Sequence, residues 1–296
     1  MPTPVPSLPA DPSSRRPVRW LDVDARDLAG LANGIEDMYD DALDVILVRG
    51  AFDAATLAEA GAWLDADTHA LDWSRPNAKM PVEDLQLLGT DNPATPTFQA
   101  PLGASLEAYL GSAARHARAA AAVFKPDFDA SAEIRAALSR FSGGRPVEVP
   151  RASDGRSYVP FTIRRLVDGK QIGIHHDYHY RLELYRELSE RLDTRTLISH
   201  VATLRAPQEG GELFVYGATS DAGDLPKLPN GYAYDLPAIE ARYDCARFVT
   251  KAGDLFLLAA GRCLHRVGRV GGPQARITMG GFLALDKALE RVLFWS

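Results

Sequence analysis

The sequence predicts an α+β protein whose helices come first and whose second half folds into a β-sandwich or barrel. The 296-residue chain is 46% hydrophobic and 24% charged, which is typical of a soluble globular protein. An alanine-rich segment precedes residue 123, whereas short apolar runs separated by glycine and proline fill the chain after residue 145. No internal repeat is found, and we predict a single domain over residues 18–296.

The N-terminal part of the chain has three segments of different character. Residues 1–17 are rich in proline and serine and have no periodic apolar pattern, so a disordered tail is predicted. Residues 22–64 read first as helical and then as mixed. Within them, the apolar run at residues 45–48 is typical of a strand.

Two further helices are predicted before the β-rich half. Alanine with interspersed arginine and glutamate favours a helix over residues 104–122. A second helix over residues 131–141 would be ended by Gly143 and Gly144. We expect these N-terminal helices to cover one face of the β-core.

The second half of the chain contains eight short runs with strand character. Turn sequences such as Asp168-Gly169, Gly210-Gly211 and Gly271-Gly272-Pro273 separate several of them, as expected for a sandwich or barrel. The predicted strands cover residues 147–149, 161–167, 171–177, 198–204, 212–216, 254–258, 263–270 and 276–283.

Charge and cysteine content exclude several classes of function. A net charge of −6 argues against nucleic acid or an anionic membrane as a partner. The two cysteines, Cys245 and Cys263, make no disulfide framework, so a reducing, cytoplasmic location is expected. We see no apolar run long enough to cross a bilayer and no secretory signal. The sequence leaves the oligomeric state open.

One pattern in the β-rich half is typical of a metal site. His175 and Asp177 are two apart on a predicted strand, so their side chains share a face, whereas His176 points away. His265, on a later strand, is the best candidate for a third ligand. Two imidazoles and one carboxylate form the facial triad of non-haem Fe(II) oxygenases, which leaves positions open for substrate oxygens and O₂. His-x-Asp alone often arises by chance, and the neighbouring residues carry much of the prediction.

Arg276 is the most informative of those neighbours, because it follows the Gly-Gly-Pro turn on a predicted core strand. A buried guanidinium is costly unless a carboxylate pairs with it, and the distal carboxylate of an iron-chelating keto-diacid would be a suitable partner. Thr278 shares its face, so its hydroxyl would contact the same carboxylate or be satisfied by the backbone. Arg164, one strand before the ligand strand, would contact an anion or be a solvated edge charge.

Taken together, His-x-Asp, a distal histidine and the following arginine resemble the 2-oxoglutarate/Fe(II) dioxygenase superfamily. Gly210-Gly211-Glu212-Leu213 and Ala252-Gly253-Asp254-Leu255-Phe256 resemble segments of its prolyl-hydroxylase-like branch. In the order of its motifs the resemblance covers roughly residues 40–296.

The closer resemblance is to the welwitindolinone-type halogenases of indole alkaloids. It extends through residues 142–177, 210–216 and 276–296. This group is similar in fold to bacterial hydroxylases of N-substituted L-amino acids. The resemblance therefore implies a double-stranded β-helix core (jelly-roll, cupin-like) with the N-terminal helices packed on one face.

The same resemblance implies a cofactor set and a role for each site residue. Fe(II), 2-oxoglutarate as co-substrate and O₂ are expected, and ascorbate would be a stimulant. The implied catalytic metal ligands are His175, Asp177 and His265, and the implied co-substrate-binding residues are Arg276, Thr278 and Arg164.

Asp177 is where the sequence departs from those halogenases, which carry glycine at this position. The vacancy lets chloride bind the iron, so a carboxylate here favours hydroxylation. We expect the substrate to be a small molecule, with an N-substituted L-amino acid as the first hypothesis. Late-stage oxidation of an alkaloid-like product by a hydroxylase, desaturase or halogenase is the alternative. A non-catalytic ligand-binding β-helix is the alternative from another class.

An anionic substrate is suggested by three arginines on or beside predicted core strands. Arg164, Arg165 or Arg205 would need an anion if directed inward, whereas a neutral substrate is favoured if all three meet solvent. We expect residues 178–192 to form a helix or lid and the loop at residues 221–234 to border the substrate pocket. The remaining histidines considered, His176, His179 and His200, are not predicted to be ligands.

Overall fold

The fold is described from a computed structural model, in which helices are interspersed with strands in the first part of the chain and strands predominate after residue 197. The structure describes residues 15–28, 30–66, 73–74, 86–88, 106–177, 185–229, 231 and 233–296. The elements are β1 (Trp20–Asp24), α1 (Gly34–Tyr39), β2 (Val45–Arg49), α2 (Ala54–Asp65), β3 (Trp73–Ser74), β4 (Gln86–Leu88), α3 (Leu106–Val123), α4 (Ala130–Ser139), β5 (Val147–Glu148), β6 (Thr162–Leu166), β7 (Ile172–His175), α5 (Arg186–Ser189), β8 (Ile198–Arg205), β9 (Glu209–Gly210), β10 (Leu213–Thr219), α6 (Leu236–Arg242), β11 (Cys245–Phe248), β12 (Leu255–Leu258), β13 (Cys263–Val267), β14 (Val270–Gly271), β15 (Arg276–Leu285) and β16 (Val292–Trp295).

The strands form two main sheets. The larger sheet has the order β1-β2-β12-β8-β15-β6-β4-β3, and β16 and β5 continue from the second half of β15. The smaller sheet has the order β11-β10-β13-β7. Most neighbours are antiparallel, whereas β1 runs parallel to β2. The long strand β15 is therefore central to the larger sheet.

Successive side chains of a strand in the larger sheet point to opposite faces, so the two faces pack against different elements. On β2, Ile46 and Val48 pack in a core with residues of α1, α2 and α4. The alternate residues Val45 and Leu47 pack instead with Val215 of the smaller sheet. This arrangement confirms the predicted α+β class, with helices on one face of a two-sheet β-core.

Helix α2 packs closely against β8 and so holds the helices against this face of the larger sheet. A Cβ at Gly61 would lie 2.8 Å from the Cβ of Arg205, so only glycine allows this approach. At the end of α2, Asp65 pairs with Arg165 at 3.5 Å and with Arg205 at 3.6 Å. These two arginines therefore belong to the helix-covered face of the larger sheet.

The predicted elements are confirmed with shifted ends, and one interpretation is wrong. The helices predicted at residues 104–122 and 131–141 correspond to α3 and α4, and all eight predicted strands overlap a strand of the structure. Residues 22–24, which read as helical, lie instead in β1 because they pair with residues of β2. That parallel pairing with a distant segment is a tertiary contact, and local propensity does not report it.

The predicted tail lies only partly within the described residues. Residues 1–14 lie outside them, and both the tail and the single domain remain predictions. Of its last residues, Arg16 pairs with the buried Asp44 at 2.8 Å. In the described part of the chain, no helix is both long and apolar enough to cross a membrane.

Candidate metal centre

His175 and His265 meet across two neighbouring strands of the smaller sheet. They are direct partners in the antiparallel register of β7 and β13, so their side chains project from the same face. Their ring centroids are 4.3 Å apart. The pairing places a histidine from late in the chain beside His175, as the sequence predicted.

Asp177 completes the group from just beyond the end of β7. The strand ends at His175, earlier than the predicted end at residue 177, and the amide of Asp177 donates to the carbonyl of Ala260 at 2.8 Å. The carboxylate Oδ1 lies 3.7 Å from Nε2 of His175, whereas Oδ2 accepts a hydrogen bond from the hydroxyl of Ser199 at 2.8 Å. One carboxylate oxygen therefore faces the histidines while the other is held by the larger sheet.

Backbone carbonyls fix the tautomer of both histidines. Nδ1 of His175 lies 2.7 Å from the carbonyl of Gly173, and Nδ1 of His265 lies 3.0 Å from that of Cys263. A carbonyl can only accept, so each Nδ1 donates a proton and each Nε2 keeps its lone pair. This is the arrangement that orients an imidazole toward a metal ion.

The three side chains fit a single divalent ion. One ligand atom from each lies within 4.8 Å of the other two, which is close to twice a metal–nitrogen bond of ~2.1 Å. Among the described residues, no other group of three histidine, cysteine or acidic side chains is so arranged. Two imidazoles and one carboxylate leave half of an octahedral shell open, and iron(II) is the metal typical of such sites.

Arg276 lies on the face of β15 that looks toward the smaller sheet. Its residue is 8% exposed, and burial together with nearby Arg164 lowers the pKa of its guanidinium to about 10. In the described part of the chain no carboxylate pairs with it. The Cδ of Arg276 lies only 3.2 Å from where a Cβ of Gly211 would be, and Gly211 has a φ of +67°. A glycine in this loop therefore gives the Arg276 side chain its space.

Thr278 and Arg164 lie on this same inner face. Thr278 is buried, is the cross-strand partner of Arg164, and has no hydroxyl hydrogen bond to any described residue. The Nε of Arg164 donates to the hydroxyl of Thr162 at 3.3 Å, and its guanidinium lies 5.9 Å from the Phe282 ring centre. Burial lowers the pKa of Arg164, which Asp177 partly offsets. The half-buried Arg164 thus points into the β-core rather than to solvent.

The structure places two other histidines away from the metal group. His176 is buried on the opposite side of the chain, where its Nδ1 lies 2.9 Å from the hydroxyl of Tyr234. His200 is buried near Phe294, and burial followed by the charge of Arg164 lowers its pKa to about 3, so it is neutral. Both findings agree with the sequence prediction. His179 and the rest of residues 178–184 of the predicted lid lie outside the described residues, and α5 (Arg186–Ser189) lies in the remainder.

A cavity of about 540 Å³ opens beside Asp177 between α5 and the start of β8. Its lining is mixed, with Thr196 and Ser220 as polar groups, Leu197 as an apolar one and Lys287 as a cation. The volume is in the range that accommodates small organic molecules. None of the described residues of the predicted pocket loop at residues 221–234 lines this cavity, and Tyr234 of that loop lies behind the metal group instead.

Sequence reasoning did not identify Ser199 or Gly211 as parts of the site. Ser199 is one of several serines and threonines on strands, and only the tertiary structure shows which hydroxyl meets Asp177. Gly211 was recognised as a turn residue, but its approach to Arg276 depends on a distant segment of chain.

Comparisons with known proteins find one matching family and several similar folds. The family model described as carrier-protein-independent halogenase WelO5 matches residues 17–296. The structure is similar to that of an N-substituted L-amino acid dioxygenase from Burkholderia ambifaria AMMD, with a TM-score of 0.50 and 15% identity over 88% of this chain and 91% of that chain. Another similar structure is a 2OG-Fe(II) oxygenase-family oxidoreductase from Burkholderia pseudomallei, with a TM-score of 0.41 and 17% identity over 88% and 94% of the two chains. No curated protein gives a significant match.

Proposed function

We propose that this chain, which belongs to the WelO5 family of carrier-protein-independent halogenases, hydroxylates an aliphatic C–H bond of a small molecule. It is a 2-oxoglutarate-dependent non-haem iron enzyme that uses Fe(II), 2-oxoglutarate and O₂. Beyond this, we propose the outcome of the reaction, its substrate and the roles of the site residues.

The observation that carries the proposal is the position of the Asp177 carboxylate. Its Oδ1 lies 3.7 Å from Nε2 of His175, within the group that can surround one ion. The halogenases that this chain resembles have glycine here, which leaves a coordination position for chloride. In this chain the Asp177 carboxylate would fill that position, and we propose that hydroxyl transfer replaces chlorination.

The roles of the protein residues follow from their placement. The two Nε2 atoms and the Asp177 carboxylate would hold the iron, and Arg276 would bind the distal carboxylate of 2-oxoglutarate. Thr278 has a hydroxyl on the same face for that carboxylate. The bound iron and co-substrate supply the activation of O₂. The chain orients both and excludes water with the two packed sheets.

For the substrate we propose an N-substituted L-amino acid. The support is the inward direction of Arg164, because a half-buried cation in this space favours an anionic ligand. The family match keeps an alkaloid-like product as the second candidate, since that match concerns halogenases. A non-catalytic binding protein would not need the complete set of His175, Asp177, His265 and Arg276.

The test is product analysis under conditions in which both hydroxylation and chlorination can occur. Purified protein with Fe(II), ascorbate and 2-oxoglutarate would be incubated with N-acyl amino acids and small alkaloids in high chloride. We expect substrate-dependent succinate and a product that gains oxygen and no chlorine by mass spectrometry. A chlorinated main product would overturn the proposed outcome, and no stimulation of succinate formation by any compound would favour the non-catalytic alternative.

The metal assignment has its own test. His265→Ala is expected to lose stoichiometric iron and turnover, because it removes one of three ligands. His176→Ala, which removes a neighbouring histidine on the other side of the chain, is the matched control and should keep the iron. Metal analysis after anaerobic reconstitution measures both. Full iron content and turnover in His265→Ala would show that the ligand set is wrong.

A further inference from the structure

The sequence analysis names three arginines on or beside core strands that could bind an anion. The structure places them on different faces of the larger sheet. Arg165 and Arg205 lie on the helix-covered face and pair with Asp65. Arg164 projects from the opposite face of β6, which looks toward the smaller sheet and the metal group. Only Arg164 of the three therefore enters the inner space.

Arg164 and Arg276 point toward different ends of that inner face. On β15, Arg276 is the partner of Leu166 and its side chain lies against Gly211. Arg164 extends the other way along β6, toward Thr162 and over Phe282. The two guanidinium groups therefore contact different residues, although they are close enough for the charge of Arg164 to lower the pKa of Arg276.

Strand pairing connects the guanidinium of Arg164 to the metal group. Phe282, under that guanidinium, is the cross-strand partner of Ser199, and Ser199 holds the Asp177 carboxylate. Arg276 is the partner of Leu166, which lies two residues along β6 from Arg164, on the side away from Thr162. A ligand contact made by Arg164 on its Phe282 side would thus be beside the metal group, on the side of Arg164 away from Arg276.

The charges at the site leave Arg164 without a compensating anion. A divalent ion, the single ligating carboxylate, dianionic 2-oxoglutarate and Arg276 together are neutral, because both histidines are uncharged ligands. Arg164 then adds one positive charge in a desolvated position, and in the described part of the chain no carboxylate forms an ion pair with it. A monoanionic ligand would neutralise it, and a planar guanidinium is suited to a carboxylate.

We propose that Arg164 binds the carboxylate of the primary substrate beside the metal ion. This inference rests on the proposed function and narrows the substrate to small molecules that carry one carboxylate within reach of the oxidised carbon. Arg276 then serves the co-substrate and Arg164 the substrate.

Anaerobic binding tests the inference without turnover. Protein loaded with Fe(II) and 2-oxoglutarate would be titrated calorimetrically with N-acetyl derivatives of leucine, valine and phenylalanine, and with the matching uncharged amides. We expect the wild type to prefer carboxylate over amide, and Arg164→Met to weaken carboxylate binding about tenfold to hundredfold while amide binding is unchanged. Arg164→Lys should retain part of the preference, because it keeps the charge and loses the bidentate geometry.

Arg165→Met is the matched control, since it removes a guanidinium from the next position on the opposite face of the same strand. It should leave the carboxylate preference intact. The visible charge-transfer band of the Fe(II)–2-oxoglutarate chelate reports co-substrate binding, which Arg164→Met should leave unchanged. Weaker 2-oxoglutarate binding in Arg164→Met, or no carboxylate preference in the wild type, would overturn the inference. Absence of the band in the wild type would instead contradict the proposed function.

Discussion

Ser199 decides which oxygen of Asp177 faces the histidines. Its hydroxyl donates to Oδ2, so Oδ1 is left toward His175 and a metal ion would be bound through one oxygen. Groups that orient a metal ligand in this way typically contribute tenfold to hundredfold to metal affinity. Ser199→Ala is therefore expected to weaken Fe(II) binding by about that factor, as measured by competition with a chelator.

A second hydroxyl on the same strand is the control for Ser199. Thr203→Val removes a hydroxyl whose partner is Thr250, so it should leave iron affinity unchanged. Equal iron affinity in Ser199→Ala and the wild type would mean that Asp177 needs no such support.

Arg276 is expected to set the affinity for 2-oxoglutarate. Arg276→Ala would remove the charge-assisted bidentate contact that we propose with 2-oxoglutarate, worth about 1.5–3 kcal/mol, so the apparent affinity for 2-oxoglutarate should fall about tenfold to hundredfold. Iron affinity should change much less, because no metal ligand is altered. Titration of the chelate band with 2-oxoglutarate measures the effect, and an unchanged affinity would exclude the assigned role.

Gly211 should also affect the affinity for 2-oxoglutarate, because it lies against the side chain of Arg276. A Cβ there would lie 2.7 Å from Cγ of Pro207 and 3.2 Å from Cδ of Arg276, and the φ of +67° disfavours any side chain. We expect Gly211→Ala to weaken 2-oxoglutarate binding by displacing the guanidinium. Gly223→Ala, which meets no atom within 4 Å, is the control substitution.

At the scale of elements, the buried Asp44 joins the N-terminal segment to both sheets. Preceding β2, it accepts hydrogen bonds from Arg16 at 2.8 Å and, at 2.9 Å, from Arg262, which directly precedes β13. Burial alone would raise the pKa of Asp44, but its hydrogen bonds to Arg16, Arg262 and the amide of Arg19 lower it from 3.8 to about 2. Asp44 is therefore ionised when the protein is folded near neutral pH.

Asp44→Asn is expected to lower the free energy of unfolding by about 3 kcal/mol, because removing one partner of a buried ion pair leaves uncompensated charge. Asp41→Asn changes an exposed carboxylate beside the same arginines and should cost less than about 1 kcal/mol. Between pH 3.8 and about 2 the unfolded chain binds a proton that the folded protein does not, so this stabilisation is lost as the pH falls through that range. Urea unfolding at neutral and acidic pH should show the difference between wild type and Asp44→Asn becoming smaller in acid.

The elements also show where sequence reasoning succeeds and where it stops. Strand periodicity placed His175 and Asp177 on one face, and this remains true although Asp177 lies past the end of β7. The pattern could not show that the amide of Asp177 is bound by Ala260, because that contact joins segments far apart in the chain. Likewise β1 was mistaken for helix, since its strand conformation depends on pairing with β2.

For the whole molecule, the order of motifs was sufficient to predict a two-sheet core with a helical layer and to select the group of three side chains that could hold a metal ion. The sequence did not show from which face of the larger sheet each arginine side chain projects. Arg164, Arg165 and Arg205 are chemically identical and all lie on core strands. Only the packing of α2, with Asp65 at its end, shows that two of them are structural and that Arg164 faces the site.

Because of the register of β7 with β13, an iron ion bound by His175 and His265 would also hold these two strands together. Among the described strands β7 is an edge of the smaller sheet, with β13 as its neighbour, and His175 and His265 are direct partners there. An ion bound to both closes a loop of about ninety residues, in the manner of a reversible cross-link. Amide hydrogen exchange should therefore be faster along β7 without iron than with it, while β8, inside the larger sheet, keeps its protection. Equal protection of β7 in both states would show that the edge strand is held by the sheet alone.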